Sequence, residues 1–222
     1  GRRLVSEVTR RHENAGVAQI KVGSVNCGYL WPGAPDDCLG AKPLFHSLGF
    51  ETGSMYSLVL DTTDYAARES CPDGVSIRQL GANESEDLMA MQMRCGFGWE
   101  SDFERPISQD RHEDIVVATI DGSIIGALKT KGPEQHHLWR KKLGDNMGEI
   151  DNVGVDSAHR RQGIGLAMMD VANQLMCERR VGPVLIGNTW LKDWYGRLGY
   201  RVWSEWTTCK ATLPMAVDKG AA

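Results

Sequence analysis

The chain has 222 residues and a formal net charge of −4, with 41% hydrophobic and 24% charged residues. This length suits one large domain or two small ones, and the composition is that of a soluble globular protein. The acidic balance argues against nucleic-acid binding, and neither a membrane-spanning segment nor a signal peptide is recognisable. We therefore expect a cytoplasmic protein with no nucleic-acid or membrane partner.

The first residues have helical periodicity, and the chain starts at Gly1 without an initiator Met. Apolar side chains recur on one face of this predicted helix, and Ala15-Gly16 would end it. The face consists of Leu4, Val5, Val8 and His12. Residues 17–22 follow as a predicted strand, and turn residues such as Trp31-Pro32-Gly33 predict a loop over 25–41.

The middle of the chain contains its strongest short hairpin signal, Asp121-Gly122, which joins predicted strands over 114–119 and 123–129. Further elements are predicted on both sides of this hairpin. They are an edge strand over 75–80, a helix over 84–94 that buries Leu88 and Met91, an irregular segment over 96–109 and a polar connection over 131–146.

Cysteines and histidines are scattered along the chain and form no metal-binding spacing. We expect the six cysteines (27, 38, 71, 95, 177 and 209) to be free thiols in a reducing compartment, with a structural disulfide as the alternative. His136-His137 lies in a polar stretch and is interpreted as solvated. No metal site is predicted.

The most informative segment is Arg160-Arg161-Gln162-Gly163-Ile164-Gly165. A predicted strand over 149–155 precedes it, and a helix follows that buries Leu166, Met169, Ala172 and Met176 and ends before Gly182-Pro183. The two glycines allow a sharp turn and a close ligand approach, and the amides that open the helix point outward. Together with the two arginines, this is a cradle for a diphosphate.

The chain then continues as a predicted strand over 183–188, a short helix over 190–198 that ends at Gly199, and a last strand. This order of elements resembles the GNAT family, the GCN5-related N-acetyltransferases. Arg160, Gly163 and Gly165 match the family loop Gln/Arg-x-x-Gly-x-Gly/Ala, and Tyr195 with Leu198-Gly199-Tyr200 matches its later Tyr-x-x-Gly-Phe signature. The Rossmann and Walker glycine spacings are both absent. The resemblance covers residues 74–212.

The resemblance implies a GNAT fold of the α/β (α+β) class, with a mixed, mostly antiparallel central sheet flanked by helices. It also implies acetyl-CoA as cosubstrate. The loop would hold the diphosphate, the strand before it would pair with the pantetheine arm, and the end of the following strand would face the cleft. The implied binding residues are Val153, Gly154, Val155, Arg160, Arg161, Gln162, Gly163, Ile164, Gly165, Leu166 and Asn188.

The resemblance also indicates two catalytic residues. Glu149 lies 11 positions before Arg160, the distance of the catalytic glutamate in histone-acetylating members, and is the candidate base. Asp151 shares its strand face, so that either carboxylate, directly or through water, could accept the proton. Tyr195 matches the tyrosine that protonates the leaving thiolate. The alternatives are solvated carboxylates at a strand end and a tyrosine that packs in the core.

The first 70 residues resemble the back half of a second GNAT unit. Gly1 and Gly23 have the spacing of Gly165 and Gly187, and residues 45–50 match residues 195–200. We interpret residues 1–70 as a partial unit, a scaffold or a fragment of a tandem repeat, and residues 74–212 as the GNAT domain. Phe45 stands where the second unit has Tyr195, so catalysis is assigned to the second unit.

The predicted activity is that of an acyltransferase (of groups other than aminoacyl groups) that moves acetyl from acetyl-CoA to an amine. The alternative is a catalytically inactive acyl-CoA-binding or scaffolding protein. Segment 96–109 corresponds to part of the family's acceptor pocket, where Glu100, Asp102 and Glu104 would attract a cationic amine or simply be solvated. The acceptor amine stays open. A homodimer, or a missing N-terminal segment that covers the partial unit, is expected as a protein partner.

Overall fold

The computed structural model describes residues 1–23 and 32–214. These residues form two compact units. The first unit takes residues 1–57, 188–190 and those from 202 onward, and the second takes residues 58–187 and 191–201. The division at Ser57 and Leu58 comes earlier than the boundary predicted at 71–74, and the last strand joins the first unit.

The first unit is built from two helices and strands that pair with the C-terminal strand. Its elements are α1 Arg2–Asn14, β1 Gln19–Val22, β2 Ala34–Pro35, α2 Ala41–His46, most of β3 Glu51–Asp61 and most of β9 Arg201–Thr212. Strands β1 and β2 both pair antiparallel with β9. The first predicted helix and strand are confirmed. Short β2 lies in the predicted loop over 25–41, whose residues 25–31 lie outside the described residues, as does Cys27.

The second unit contains the predicted strands and helices in their predicted order, with α4 and α5 in addition. Its elements are β4 Ser76–Gln79, α3 Ser85–Cys95, α4 Glu100–Ser108, β5 Ile115–Ile120, β6 Ser123–Lys131, α5 Arg140–Leu143, β7 Gly148–Val155, α6 Ile164–Glu178, β8 Pro183–Thr189 and α7 Lys192–Gly196. Strand β8 passes into the first unit at Asn188.

The sheet of the second unit runs in the order β4-β5-β6-β7-β8, with β4 at the edge as predicted. Strands β4 to β7 pair antiparallel, and β7 pairs parallel with β8. The predicted mixed, mostly antiparallel sheet is therefore confirmed. Asp121 and Gly122 both have positive φ angles, 49° and 78°, which gives the hairpin the backbone twist that matches its strands.

Helices cover both faces of this sheet. Helix α6 packs against β5, β6 and β7 and buries the four side chains predicted for its inner face. A second cluster gathers α3 and α4 around β5 and β6 through Leu88, Met91, Phe103, Val117 and Ala127. Since β5 is fully buried from Ile115 to Ala118, it forms the centre of the core.

The predicted irregular segment over 96–109 is wrong, because residues 100–108 form α4. Pro106 inside this stretch is typical of a chain that is not helical, since it cannot donate a backbone hydrogen bond. Phe103 and Pro106 are nevertheless both buried, and Glu100 and Asp102 lie in the first turn, where the helix dipole favours carboxylates. Burial thus stabilises a helix that local propensity disfavours. None of the helices in the described part of the chain is long and apolar enough to cross a membrane.

Candidate active site

The predicted diphosphate cradle lies between β7 and α6. Asp156 accepts a hydrogen bond from the Ala158 amide (3.1 Å) and so fixes the 3₁₀ turn over 157–159. Arg161 and Gly163 then take positive φ angles of 64° and 84° and turn the chain into α6. The Gly163 carbonyl accepts from the Ala167 amide (3.1 Å), so that the amides of residues 164–166 form the open end of the helix.

Cations surround this turn. Arg160, Arg161 and Gln162 are exposed, and Arg160 donates through Nε to the Val155 carbonyl (2.8 Å). Its guanidinium carbon lies 5.8 Å from the centre of the Phe97 ring. Arg94 contacts the Asp156 carboxylate at 3.1 Å. The hydrogen bond from the Ala158 amide lowers the pKa of Asp156 most, and Arg94 lowers it further. The turn is thus fixed by its own hydrogen bonds, and it presents positive charge at its surface.

Three other cradle residues are shaped by packing. Ile164 and Leu166 are buried, so that only their backbone groups are available to a ligand. A Cβ at Gly165 would lie 3.2 Å from the Trp194 ring, which explains the glycine by the close contact of α6 with α7. Glycine at 163 is instead required by its positive φ.

Strand β7 has an unpaired stretch on the side of β8. In β7, Gly148 and Glu149 pair with β8. On the other side of β7, pairing with β6 continues to Val155. Between Gly154 and Asp151 the β6 register shifts by one residue, and Asn152 takes a φ of 55°. This places a β-bulge at Asn152 and Val153. The backbone of residues 150–155 has no registered β8 partner within the described ranges.

Gly154 is explained by aromatic packing. A Cβ there would lie 2.7 Å from the Phe97 ring and 3.0 Å from the Trp99 ring. These two rings stack with centroids 4.8 Å apart and planes 20° apart. The role of Gly154 in binding the cofactor stays a prediction, because the described contacts of this position are with Phe97 and Trp99.

Glu149 lies in a partly buried cluster of charges. Its Oε2 accepts from Lys131 Nζ at 2.9 Å, and its Oε1 lies 3.1 Å from Nδ1 of His137. The other ring nitrogen of His137 lies 2.7 Å from the Gly132 carbonyl, which can only accept a hydrogen bond. Nε2 therefore carries a proton, and Nδ1 faces a carboxylate, an arrangement that favours the imidazolium.

The interpretation of His137 as solvated is wrong. Its side chain is fully buried, whereas His136 beside it is exposed. Burial by itself lowers the pKa of His137, but the contacts with Glu149 and the Gly132 carbonyl outweigh burial and raise it. Burial likewise favours protonated Glu149, but His137 and Lys131 outweigh it and lower the pKa of this carboxyl.

For Asp151, burial outweighs the nearby cations. Burial, followed by the charge of Glu149, raises its pKa, and Lys131 and Lys129 oppose this rise without cancelling it. On the same side of the sheet, Asn152 Nδ2 donates to Asp102 Oδ2 at 3.1 Å. Two carboxyls two residues apart on one strand thus have pKa values shifted in opposite directions.

Tyr195 is buried in α7 and makes edge-to-face contacts with Trp194 and Tyr200, with centroids 4.6 and 5.8 Å away. Burial, followed by the charge of Asp151, raises the pKa of its phenol, so the hydroxyl is protonated at neutral pH. Asn188 lies half-buried on β8, in the first unit. Its contact with a cofactor stays a prediction.

Lys131 and His137 were missed as members of the site. The predicted strand ended at Lys129, but β6 continues to Lys131, and both side chains lie on the face that carries Glu149 and Asp151. Continuing the alternation by two residues was the available signal. His137 gave no local signal, because its burial depends on the path of the whole connection. Across residues 1–23 and 32–214, no group of His, Cys, Asp and Glu side chains is arranged to hold a metal ion.

The comparisons with known proteins agree with this geometry. Residues 111–202 match the family model described as the acetyltransferase (GNAT) domain. No curated protein sequence matches the chain. Among solved structures, one similar region is the GCN5-related glucosamine N-acetyltransferase region of a fungal multi-domain GH3 β-N-acetylglucosaminidase (TM-score 0.78, 24% identity, 94% of this chain and 27% of that one).

Two further structures share the fold over nearly the whole chain. One is a GCN5-related N-acetyltransferase from Sphaerobacter thermophilus (TM-score 0.69, 18% identity, 99% of this chain and 71% of that one). The other is a tandem GNAT protein of clavulanic acid biosynthesis (TM-score 0.54, 13% identity, 97% and 70%). The chain spans about a quarter of the fungal protein, and at these identities the likeness is one of fold.

Proposed function

We propose that the chain, whose residues 111–202 match the acetyltransferase (GNAT) domain model, is an acetyl-CoA-dependent N-acetyltransferase that acetylates a primary amine. The observation that carries the proposal is the join between β7 and α6. There an unpaired strand edge leads directly into a turn of free amides and exposed cations. The strand edge suits the pantetheine arm of coenzyme A, and the turn suits its diphosphate.

The cradle would hold the diphosphate through the amides of residues 163–166 and through Arg160 and Arg161. A helix N-terminus and fixed cations are both favourable for this dianion. The pantetheine arm carries amides, and the edge formed by Val153, Gly154 and Val155 offers backbone partners to them. An amide of this stretch would also donate to the thioester oxygen as negative charge develops on it.

The proton transfers would use the carboxyls of β7 and the phenol of α7. An ammonium ion has no lone pair, so one of Glu149 and Asp151 must take a proton before the amine attacks. Tyr195 would protonate the leaving thiolate, a role that suits a phenol whose proton is retained at neutral pH. The influence of Asp151 on the Tyr195 pKa supports a shared pocket for base and acid.

We propose an amino sugar as the first acceptor to test. The fungal region with the similar fold is described as a glucosamine N-acetyltransferase. In this chain, the side of β7 that carries Asp151 also presents Asn152, Lys129 and Asp102, which are donors and acceptors for hydroxyl groups.

The experiment measures thiol release from acetyl-CoA with glucosamine, polyamines, amino acids and lysine peptides as acceptors. Turnover with one of these amines supports the proposal, and a preference for glucosamine supports its finer form. Calorimetry with acetyl-CoA is the companion measurement. Binding without turnover would favour the inactive acyl-CoA-binding alternative, and no heat with folded protein would contradict both.

For residues 1–70 we propose a GNAT-like unit that serves as scaffold, with catalysis in the second unit. Apart from the short β2, the elements from α1 to β3 have the same helix–strand–helix–strand order as those from α6 to β9, which supports this, as does the likeness to a tandem GNAT structure. The expected homodimer is tested by light scattering at several protein concentrations. The predicted cytoplasmic location stays a prediction.

A further inference from the structure

The two carboxyls of β7 have different contacts although they share one strand face. Both Glu149 oxygens lie within ion-pair distance of a cation, Oε2 at 2.9 Å from Lys131 and Oε1 at 3.1 Å from His137. In the described residues, no donor contacts the Asp151 carboxylate. The first carboxylate is therefore held in place, and the second is available.

We propose that Asp151 is the base that takes the amine proton, and that Glu149 is a positioning residue whose fixed negative charge acts on Asp151. The cations that fix this charge are Lys131 and His137. The inference rests on the proposed acetyltransferase function and divides the work between two residues of the same site.

Glu149 is poorly suited to accept a proton itself. A proton on its carboxyl would leave Lys131 and the His137 imidazolium beside a neutral group, and His137 is fully buried. Removing one partner from a buried ion pair is strongly unfavourable, because the remaining charge is then neither solvated nor compensated. The same contacts keep Glu149 anionic when the pH falls.

Asp151 has the surroundings of a base. Charged or titratable groups face it from four elements, namely Glu149 on β7, Lys129 and Lys131 on β6, Asp102 on α4 and Tyr195 on α7. Burial and the negative charge of Glu149 raise its pKa towards the range in which a carboxylate both exists and binds a proton usefully. Without the Glu149 charge, Lys131 would act on Asp151 without the carboxylate with which it now pairs.

The proton transfers balance. Asp151 takes one proton from the ammonium, and the free amine attacks the thioester carbonyl carbon. The carbon–sulfur bond breaks, the thiolate takes the proton of Tyr195, and the phenolate recovers a proton from the nitrogen that has become an amide. Asp151 finally releases its proton to solvent. The net products are amide, free thiol and one proton.

The experiment compares the pH dependence of kcat/KM for wild type, Asp151→Asn, Glu149→Gln and Glu149→Asp. We expect Asp151→Asn to lose about 100-fold or more and to lose the acidic limb of the profile. Glu149→Gln should keep an acidic limb that moves to lower pH, and Glu149→Asp, which retains the charge, should move it back. An acidic limb that disappears in Glu149→Gln but persists in Asp151→Asn would overturn the assignment.

A second measurement does not depend on turnover. Carboxyl ¹³C NMR titration of the full chain, assigned with the two amide variants, should show Asp151 titrating above an ordinary aspartate in wild type and lower in Glu149→Gln. An unchanged Asp151 titration in the folded variant would contradict the role of Glu149. If wild type acetylates no amine, the proposed function fails, whereas this titration still tests the relation between the two carboxyls.

Discussion

Residues 45–50 in the first unit and 195–200 in the second form the same local structure. In both, a helix ends in a turn with a glycine at positive φ, 80° at Gly49 and 91° at Gly199. In both, the last amide of the segment donates to the first carbonyl, at 3.1 and 3.4 Å. The aromatic rings at the two ends meet edge to face, with centroids 5.3 and 5.8 Å apart.

The surroundings of the two segments differ. Helix α6 buries nine residues in the second unit, whereas its counterpart α1 buries none. Tyr195 has a hydroxyl in a pocket influenced by Asp151, and Phe45 has none. The comparison teaches that the turn motif specifies only the path of the backbone. The chemistry proposed for the second segment depends in addition on the hydroxyl of Tyr195 and on the side chains that α6 buries beside it.

The largest expected effect comes from making the second segment like the first. Tyr195→Phe should lower kcat by about 100-fold or more, because the thiolate loses its proton donor, with little change in acetyl-CoA affinity. Steady-state kinetics with calorimetry measures both. The matched variant Phe45→Tyr should leave kcat unchanged. Equal rates for Tyr195→Phe and wild type would show that the phenol is dispensable.

The next effect tests the difference in burial. Leu198 is fully buried, whereas the corresponding Leu48 is half-buried. Leu198→Ala should cost about 2–5 kcal/mol of stability, and Leu48→Ala less, since less apolar contact is lost. Urea denaturation of both variants measures this. A larger loss of stability in Leu48→Ala than in Leu198→Ala would contradict the expected difference in burial.

A smaller effect tests the shared backbone. Alanine at Gly49 or Gly199 must adopt a left-handed conformation, so each substitution should cost about 1 kcal/mol or more. A Cβ at Gly199 would lie 3.0 Å from a terminal nitrogen of Arg68, which can move, so the two costs should be similar. Thermal denaturation compares them, and a neutral Gly49→Ala would show that the first segment is not held as the second is.

The smallest effect concerns a group that has no counterpart at the first segment. The folded pKa of His137 is raised above 6.5, so its contribution to stability is complete below that pH and is lost as the pH rises through the folded pKa. His137→Gln should therefore be more destabilising relative to wild type at pH 6 than at pH 8.5. Thermal denaturation over this range measures it, with exposed His136→Gln as control. A difference that grows with pH would contradict the charged state of His137.

Local signals in the sequence were enough to predict the hairpin at Asp121-Gly122 and the turn before α6. In both segments, the residues of the turn themselves determine the backbone conformation. Residue 163 needs a positive φ and residue 164 starts an apolar helical face, and both are visible in the sequence. The mixed sheet followed from the order of these elements and from the family resemblance.

Tertiary contacts decided what the sequence left hidden. Helix α4 contains Pro106 and is stabilised by burial of Phe103, which no local propensity indicates. His137 and Lys131 meet Glu149 only after the hairpin and the connection over 132–147 have folded. The lowered pKa of Glu149 likewise depends on these distant cations, so alternation alone left the base undecided.

Under the proposed function, the unpaired edge of β7 would link the stability of the folded protein to the supply of acetyl-CoA. A ligand that binds only the folded protein stabilises it by an amount that grows with its concentration, about 2.7 kcal/mol at 100 times its Kd. Under the proposed function, a cell rich in acetyl-CoA would keep this protein resistant to heat and proteolysis. In a starved cell, the same polypeptide would expose a bare strand edge and be turned over sooner.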